Sequence, residues 1–518
     1  MHSVVRAAGR SKLTPVVIGA LAFAGSGLVA AIAGIPIPAV HDEYSYLLAA
    51  DTFSHGRLTN PTHPLWVHFE TFHVIQQPTY MSKYPPAQGM ALALGQVATG
   101  QPIVGVWLSV ALMCAAIYWM LRAWLAPRWA LLGGLLAVLL WGFASYWSQS
   151  YWGGAVAATG GALLFGGLRR IVRQPKARNA IAMGLGLLLL AHSRPFEGLL
   201  VSLPVAAALL IWMLAGKGRP SAQVSMARIV MPLLAMLVLT AASIGYYNYR
   251  VTGDPFKTPY QVHEETYGIA PFFIWQRLRP APEYNHEPLR IYHTERNLVG
   301  YEQQRTTAGL LSRLVRKLDK FWGFYLGIAL TIPLLALPWL LRDRWMAFAV
   351  FVCLLVLSEM FLVAPFFPHY VAPIACLIML IAVQGMHYLW RWRWRGKPVG
   401  RWVVAALLLL SLRTPVVALL EDVRSHDPSN WNVQRARLLQ QLASDGERHL
   451  VVVRYGPKHH VDREWVYNAA DIDRAPVVWA RAMDDTRNRQ LTDYFQGRKA
   501  WLLIVDQDDA PHLTPYER

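Results

Sequence analysis

Apolar runs of roughly fifteen to twenty-two residues recur along the chain with polar connections between them. They lie at about 14–35, 102–121, 129–147, 153–168, 179–193, 197–215, 229–247, 321–341, 346–363, 370–389 and 401–419. Crossing ~30 Å of hydrocarbon at 1.5 Å per residue takes about twenty residues. The pattern therefore predicts an all-α polytopic membrane protein of about eleven transmembrane helices. A further apolar piece, 87–98, is too short to cross and reads as a helix lying along the interface. The first run follows Arg6, Arg10 and Lys12, and Ala31-Ile32-Ala33 resembles a signal-peptide cleavage site. The run exceeds a typical signal core and more spans follow, which favours an uncleaved first helix with a cytoplasmic N-terminus.

Two polar segments of about 36–100 and 249–320 interrupt the spans as external loops, and both are rich in Tyr, His and Pro. From 421 to 518 the periodicity changes. Leu450-Val451-Val452-Val453 and Trp501-Leu502-Leu503-Ile504-Val505 read as buried strands around a helical stretch near 485–496. The expected organisation is a membrane domain over 1–420 and a small α/β extracytoplasmic domain over 421–518.

Composition agrees with a membrane protein: 54% of residues are hydrophobic and 15% charged, with 21 Trp and 22 Tyr. The net charge of +18 invites a nucleic-acid reading, but its distribution opposes one. Twenty Lys and Arg fall in six short stretches (1–13, 122–128, 169–178, 216–228, 342–344 and 390–401), where Asp343 is the only acid. With 87–98 left out of the count, these stretches all face the cytoplasm, as the positive-inside rule requires. Arg313, Arg316, Lys317 and Lys320 do not fit, because the same topology puts them outside. Cys114, Cys353 and Cys376 lie far apart within apolar runs and read as packing residues.

The candidate chemistry sits where spans emerge. His41-Asp42-Glu43-Tyr44 follows the first span by a few residues, and Ser82-Lys83-Tyr84-Pro85-Pro86 comes about forty residues later. This order of acidic pair, loop, lysine beside a proline pair and polytopic body resembles the GT-C class of lipid-linked-sugar glycosyltransferases. Within the class it is most similar to bacterial relatives of protein O-mannosyltransferases and lipid A aminoarabinose transferases. The resemblance implies a sugar moved from a polyprenyl-phosphate carrier to an acceptor hydroxyl, outside the cytoplasm, with inversion. The acceptor class stays open among lipid, glycan and protein, and the location implied is the bacterial plasma membrane. Asp42 matches the catalytic acidic position and Glu43 its supporting neighbour. Lys83 matches a donor-phosphate ligand, although the family often places that lysine directly before the prolines and here Tyr84 intervenes.

Such a transfer needs a base for the acceptor proton and cations for the leaving phosphate. Arg194, in His192-Ser193-Arg194-Pro195-Phe196-Glu197, is the second phosphate candidate, because guanidinium binds phosphate in a bidentate way; pairing with Glu197 is its bland alternative. Tyr44, Tyr84, His369 and Tyr370 are expected to line the same cavity. His63, His68 and His73 are spaced five apart, which gathers ligands on neither helix nor strand. No cofactor is called for, and only a divalent ion held by Asp42 with the donor phosphate stays open. The sequence has no phosphate-binding Gly-rich loop, no dinucleotide fingerprint and no nucleophile elbow. The competing class, a secondary transporter or lipid flippase, would show related halves and mid-membrane ionisable residues. Neither is apparent.

Overall fold

The computed structural model describes residues 11–143, 145–506 and 511–517; Arg6 and Arg10 lie outside them. Helices occupy all eleven expected positions, but among the described residues eight are long and apolar enough to cross a membrane unaided. A ninth crossing arises if Thr307–Tyr325 and Gly327–Leu340, bent by 92°, count as one. The break falls where Gly327 takes a φ of +50°. Pro127–Phe143 and Ala177–Ala191 are the remaining two. The 15 residues of Ala177–Ala191 reach only ~22 Å. By length and composition alone, eight of the eleven helices qualify as crossings, or nine with the bent pair, and the two shorter ones link the same two ends of the bundle. Pattern alone could not separate a short helix packed among neighbours from one facing lipid along its whole length.

Glycines set how closely these helices approach. A Cβ on Gly161 would meet the Pro373 carbonyl oxygen at 1.9 Å, and one on Gly186 would meet the Gly160 oxygen at 2.6 Å. Small residues at such crossings allow the backbone contact that binds helices where lipid supplies no hydrophobic drive.

The first loop is ordered. Its opening acidic motif begins the helix His41–Ser54, and a three-stranded antiparallel sheet follows, with Thr79–Ser82 between Asn60–Pro61 and Val74–Ile75. Pro86–Thr99 is a helix of 14 residues, again too short to cross.

After the membrane region, Trp431–Ala443 leads into a four-stranded sheet. Its order is Val477–Arg481, His449–Tyr455, Lys499–Val505, His512–Pro515, the last pairing antiparallel and the others parallel. The central strand alternates as a strand buried on both faces must. Leu450 and Val452 pack with Leu48, Phe69 and Tyr80 of the first loop, while Val451 and Val453 pack with Trp465 and Leu442. One face of the domain is thus fused to the loop that carries the acidic motif.

Candidate active site

Asp42 and Glu43 are adjacent on a helix, so their side chains leave about 100° apart, and their fates differ. Glu43 turns inward. Its Oε2 accepts from the N–H groups of Ala39 (2.8 Å) and Val40 (3.2 Å), and its Oε1 accepts from Tyr151 (2.9 Å). This carboxylate caps the helix start and ties it to the 145–154 turn. Burial raises its pKa to about 7 against those three N–H donors.

Asp42 faces a cavity of about 850 Å³ shared with Lys83, Tyr84, Arg194, Tyr370 and the segments 258–273 and 292–320. Burial pushes its pKa upward, while the Tyr84 hydroxyl and the Lys83 ammonium pull it down. Tyr84 donates its hydroxyl proton to Asp42 Oδ1. His73 Nδ1 lies 2.9 Å from the same hydroxyl oxygen, and His73 Nε2 lies 3.1 Å from the Tyr292 hydroxyl. Burial holds His73 neutral, well below the ordinary histidine pKa. One tautomer satisfies every contact: Tyr292 donates to Nε2, Nδ1–H donates to Tyr84, and Tyr84 donates to Asp42. His73 sits at φ +60°, unusual for a residue with a side chain. Its carbonyl is held by Ser45 Oγ at 2.6 Å and by the Lys83 N–H at 3.2 Å.

Lys83 is not a free cation. Its Nζ lies 3.3 Å from Glu264 Oε1 and over the Tyr260 ring at 5.0 Å. Burial drives the Glu264 carboxyl upward, but Lys83 and His263 outweigh it and hold the carboxyl well below its ordinary range. Arg194 precedes Pro195, the first residue of the helix Pro195–Ala215. Its guanidinium lies over the Tyr370 ring at 4.5 Å, and among the described residues no carboxylate comes within ion-pairing distance of it. The bland alternative, an Arg194–Glu197 ion pair, is therefore not formed as a contact.

Two expected lining residues lie elsewhere. Tyr44 stacks on Tyr467 of the C-terminal domain at 4.1 Å and donates to the Pro38 carbonyl. It follows Asp42 by two positions, about 200° around the helix. His369 is buried against Trp152, with Nδ1 3.2 Å from the Tyr146 hydroxyl. The 3-10 turn that begins at Pro368 gives the cavity to Tyr370 instead. The evenly spaced histidines go to separate partners: His63 to Asp473, His68 to the Arg481 carbonyl, and His73 to the site.

Glu264, Tyr260 and Tyr292 are lining residues that sequence reasoning missed. The one local signal was the Thr258–Gln261 capping box, which starts the helix Pro259–Thr266 and so carries Glu264 to the cavity. The misfit cluster Arg313, Arg316, Lys317 and Lys320 lies on one face of Thr307–Tyr325 at helical spacing. All four line the cavity. Lys317 spends its three protons on Gln304 Oε1 and the carbonyls of Met360 and Val363. Arg316 and Lys320 stay exposed. Leu311, Val315 and Leu318 on the other side of this helix are exposed too, which fits a helix lying at the lipid interface.

No protein-family model matches the chain, and no curated protein does. Solved structures do. ArnT from Cupriavidus metallidurans in the apo state superposes with a TM-score of 0.50 at 14% identity, over 94% of this chain and 92% of that one. The oligosaccharyltransferase of Archaeoglobus fulgidus in the apo form gives 0.51 at 9% identity, over 95% of this chain and 70% of that one. The chain has the GT-C fold. At these identities the likeness concerns architecture. It extends through the C-terminal domain, and the apolar helices long enough to cross a membrane agree with it.

Proposed function

We propose that the protein transfers a sugar from a polyprenyl-phosphate carrier to an acceptor hydroxyl, with inversion at the anomeric carbon. The observation that carries this reading is one cavity lined by Asp42, Arg194 and the basic face of Thr307–Tyr325. Asp42 takes the acceptor proton as the acceptor oxygen attacks the anomeric carbon. The bond from that carbon to the phosphate oxygen breaks, and its electron pair leaves with the phosphate. The departing group carries about two negative charges at a low-dielectric rim, where uncompensated charge is expensive. Arg194 has donors to spare for it, and the Lys83–Glu264 pair fixes the loop beside it.

The fold shared with ArnT and with an oligosaccharyltransferase supports a lipid-linked donor. We place the protein in the bacterial plasma membrane, with a cytoplasmic N-terminus and the 421–518 domain outside. The decisive experiment incubates purified protein with synthetic polyprenyl-phosphate sugars and follows sugar release. Release that depends on Asp42 is expected. Absence of release across hexose and pentose donors, with acceptor lipid, glycan and peptide supplied, would sink the reading.

A further inference from the structure

The span Ala155–Arg173 starts beside Tyr151, which holds Glu43, and ends ~28 Å away at Arg173. A second pocket of about 690 Å³ lies at that far end. Its walls are Arg170, Arg173 and Arg178, the amide side chains of Gln174 and Asn179, and the apolar Trp119, Leu163 and Ala182. Among the described residues no carboxylate lines it.

Arg170 is preset. Its guanidinium lies over the Trp119 ring at 3.6 Å, Nη2 donates to the Trp119 carbonyl at 2.6 Å, and Nη1 donates to the Gly166 carbonyl at 3.2 Å. Arg173 and Arg178 are exposed at the rim. Among the described residues none of the three has a carboxylate within 4.0 Å. Topology accounts for arginines on this side of the membrane, since scattered basic residues would satisfy the positive-inside rule equally well. It does not account for three converging on one concavity without an acid, where like charges repel. An anion resolves that repulsion, and planar guanidinium donors suit a phosphate.

Further contacts set the depth. Arg169 lies 4.4 Å from the Trp345 ring and Arg128 lies 5.8 Å from that of Trp129, pairs typical of the headgroup layer. The apolar wall of Trp119, Leu163 and Ala182 suits an acyl chain continuing from a phosphate. We propose that this pocket binds the phosphate of an anionic lipid headgroup, on the face of the membrane away from the cavity.

The test uses the full-length protein in detergent, with native mass spectrometry counting retained lipid. Phosphatidylglycerol and phosphatidylcholine of the same acyl chains are offered in turn, with and without inorganic phosphate. Wild type should retain phosphatidylglycerol at least fivefold better than phosphatidylcholine. The R173Q/R178Q variant, altered only at exposed side chains, should lose most of that excess at an unchanged melting temperature. The R393Q/R395Q variant, in an exposed connection outside the pocket, should keep it. Equal loss in both variants, or none in R173Q/R178Q, would overturn the site. Displacement of the lipid by millimolar inorganic phosphate would overturn the lipid as its occupant.

Discussion

Buried charge is concentrated in two regions of this molecule, and they treat it in opposite ways. Where the C-terminal domain meets the first loop, arginines spend their donors on protein. Arg481 ion-pairs with Glu464 and donates to the Glu70 carbonyl, and Arg435 donates to the carbonyls of Trp465 and Tyr467. Arg498 binds the carbonyls of Ala475 and Asp473. In the cavity, Arg194 has an aromatic face beneath it and, among the described residues, no carboxylate within ion-pairing distance; Arg316 and Lys320 are exposed, and Asp42 receives one hydroxyl proton. The interface spends most of its arginine donors on protein, with Arg481 Nη1 buried without a hydrogen-bond partner among the described residues, and it fixes two parts of the chain. The cavity instead turns polar groups toward open space, the feature on which the proposed site rests.

The sharpest way to break this contrast is at Asp42. Asp42→Asn should cut transfer by roughly three orders of magnitude, the middle of the range for losing a general base, while donor binding persists. Turnover within a few-fold of wild type would remove Asp42 from the chemistry. Glu43→Gln keeps the shape of its neighbour's support, so its loss of turnover should be far smaller, with a lower melting temperature as the main readout.

On the closed side, Arg481→Leu strands Glu464 in the interior. Breaking a buried pair by removing one partner costs about 3–5 kcal/mol. Unfolding monitored in detergent should show a loss of that order, while activity per folded molecule is retained. A large fall in turnover at intact stability would mean that the interface also takes part in the reaction.

The two cations of the cavity should then separate. Arg194→Ala should slow transfer by on the order of a hundredfold, the scale of losing one preorganised stabiliser, and should weaken donor binding more than acceptor binding. Lys83→Ala removes a cation and also leaves Glu264 in the cavity uncompensated. Adding Glu264→Gln should therefore recover part of the loss in a double-mutant cycle. If the double variant is no better than Lys83→Ala alone, Lys83 contacts the phosphate directly and the pair is not a unit.

Much of this was legible along the chain, for identifiable reasons. Span positions follow from hydrophobic runs, and the acidic motif announces itself by emerging just after the first span. The strands of the C-terminal sheet are apolar runs bounded by polar turns. What the pattern could not carry was partnership across distance. Lys83 and Glu264 stand 181 positions apart, and nothing local to either names the other. Tyr84 interrupts the lysine–proline motif, and it is the residue that reaches Asp42. His369 and Tyr370 are neighbours at one corner, and only the turn geometry of Pro368–Ile374 decides which one faces the cavity.

That unplanned tyrosine supports the last prediction. Burial alone would raise the Asp42 pKa, and the Tyr84 hydroxyl is the first of the groups that lower it, ahead of Lys83. A base works only when ionised, so activity is present above the folded-state pKa and is lost as pH falls through it. Because that pKa is raised, the acid limb of kcat/KM should lie above the range of an ordinary aspartate. Tyr84→Phe deletes the donor that favours the ionised form and leaves burial in place. The limb should move further toward neutral pH, while the rate at high pH, where Asp42 is ionised regardless, falls much less. Lys83→Ala should move the limb in the same direction, because its charge also favours the carboxylate. His73 holds the Tyr84 hydroxyl at 2.9 Å and also lies 3.7 Å from Asp42 Oδ2, so the His73→Ala shift should shrink, without vanishing, in the Tyr84→Phe background. A limb that stays put in Tyr84→Phe, or moves to lower pH, would detach Tyr84 from the base and leave it a packing residue.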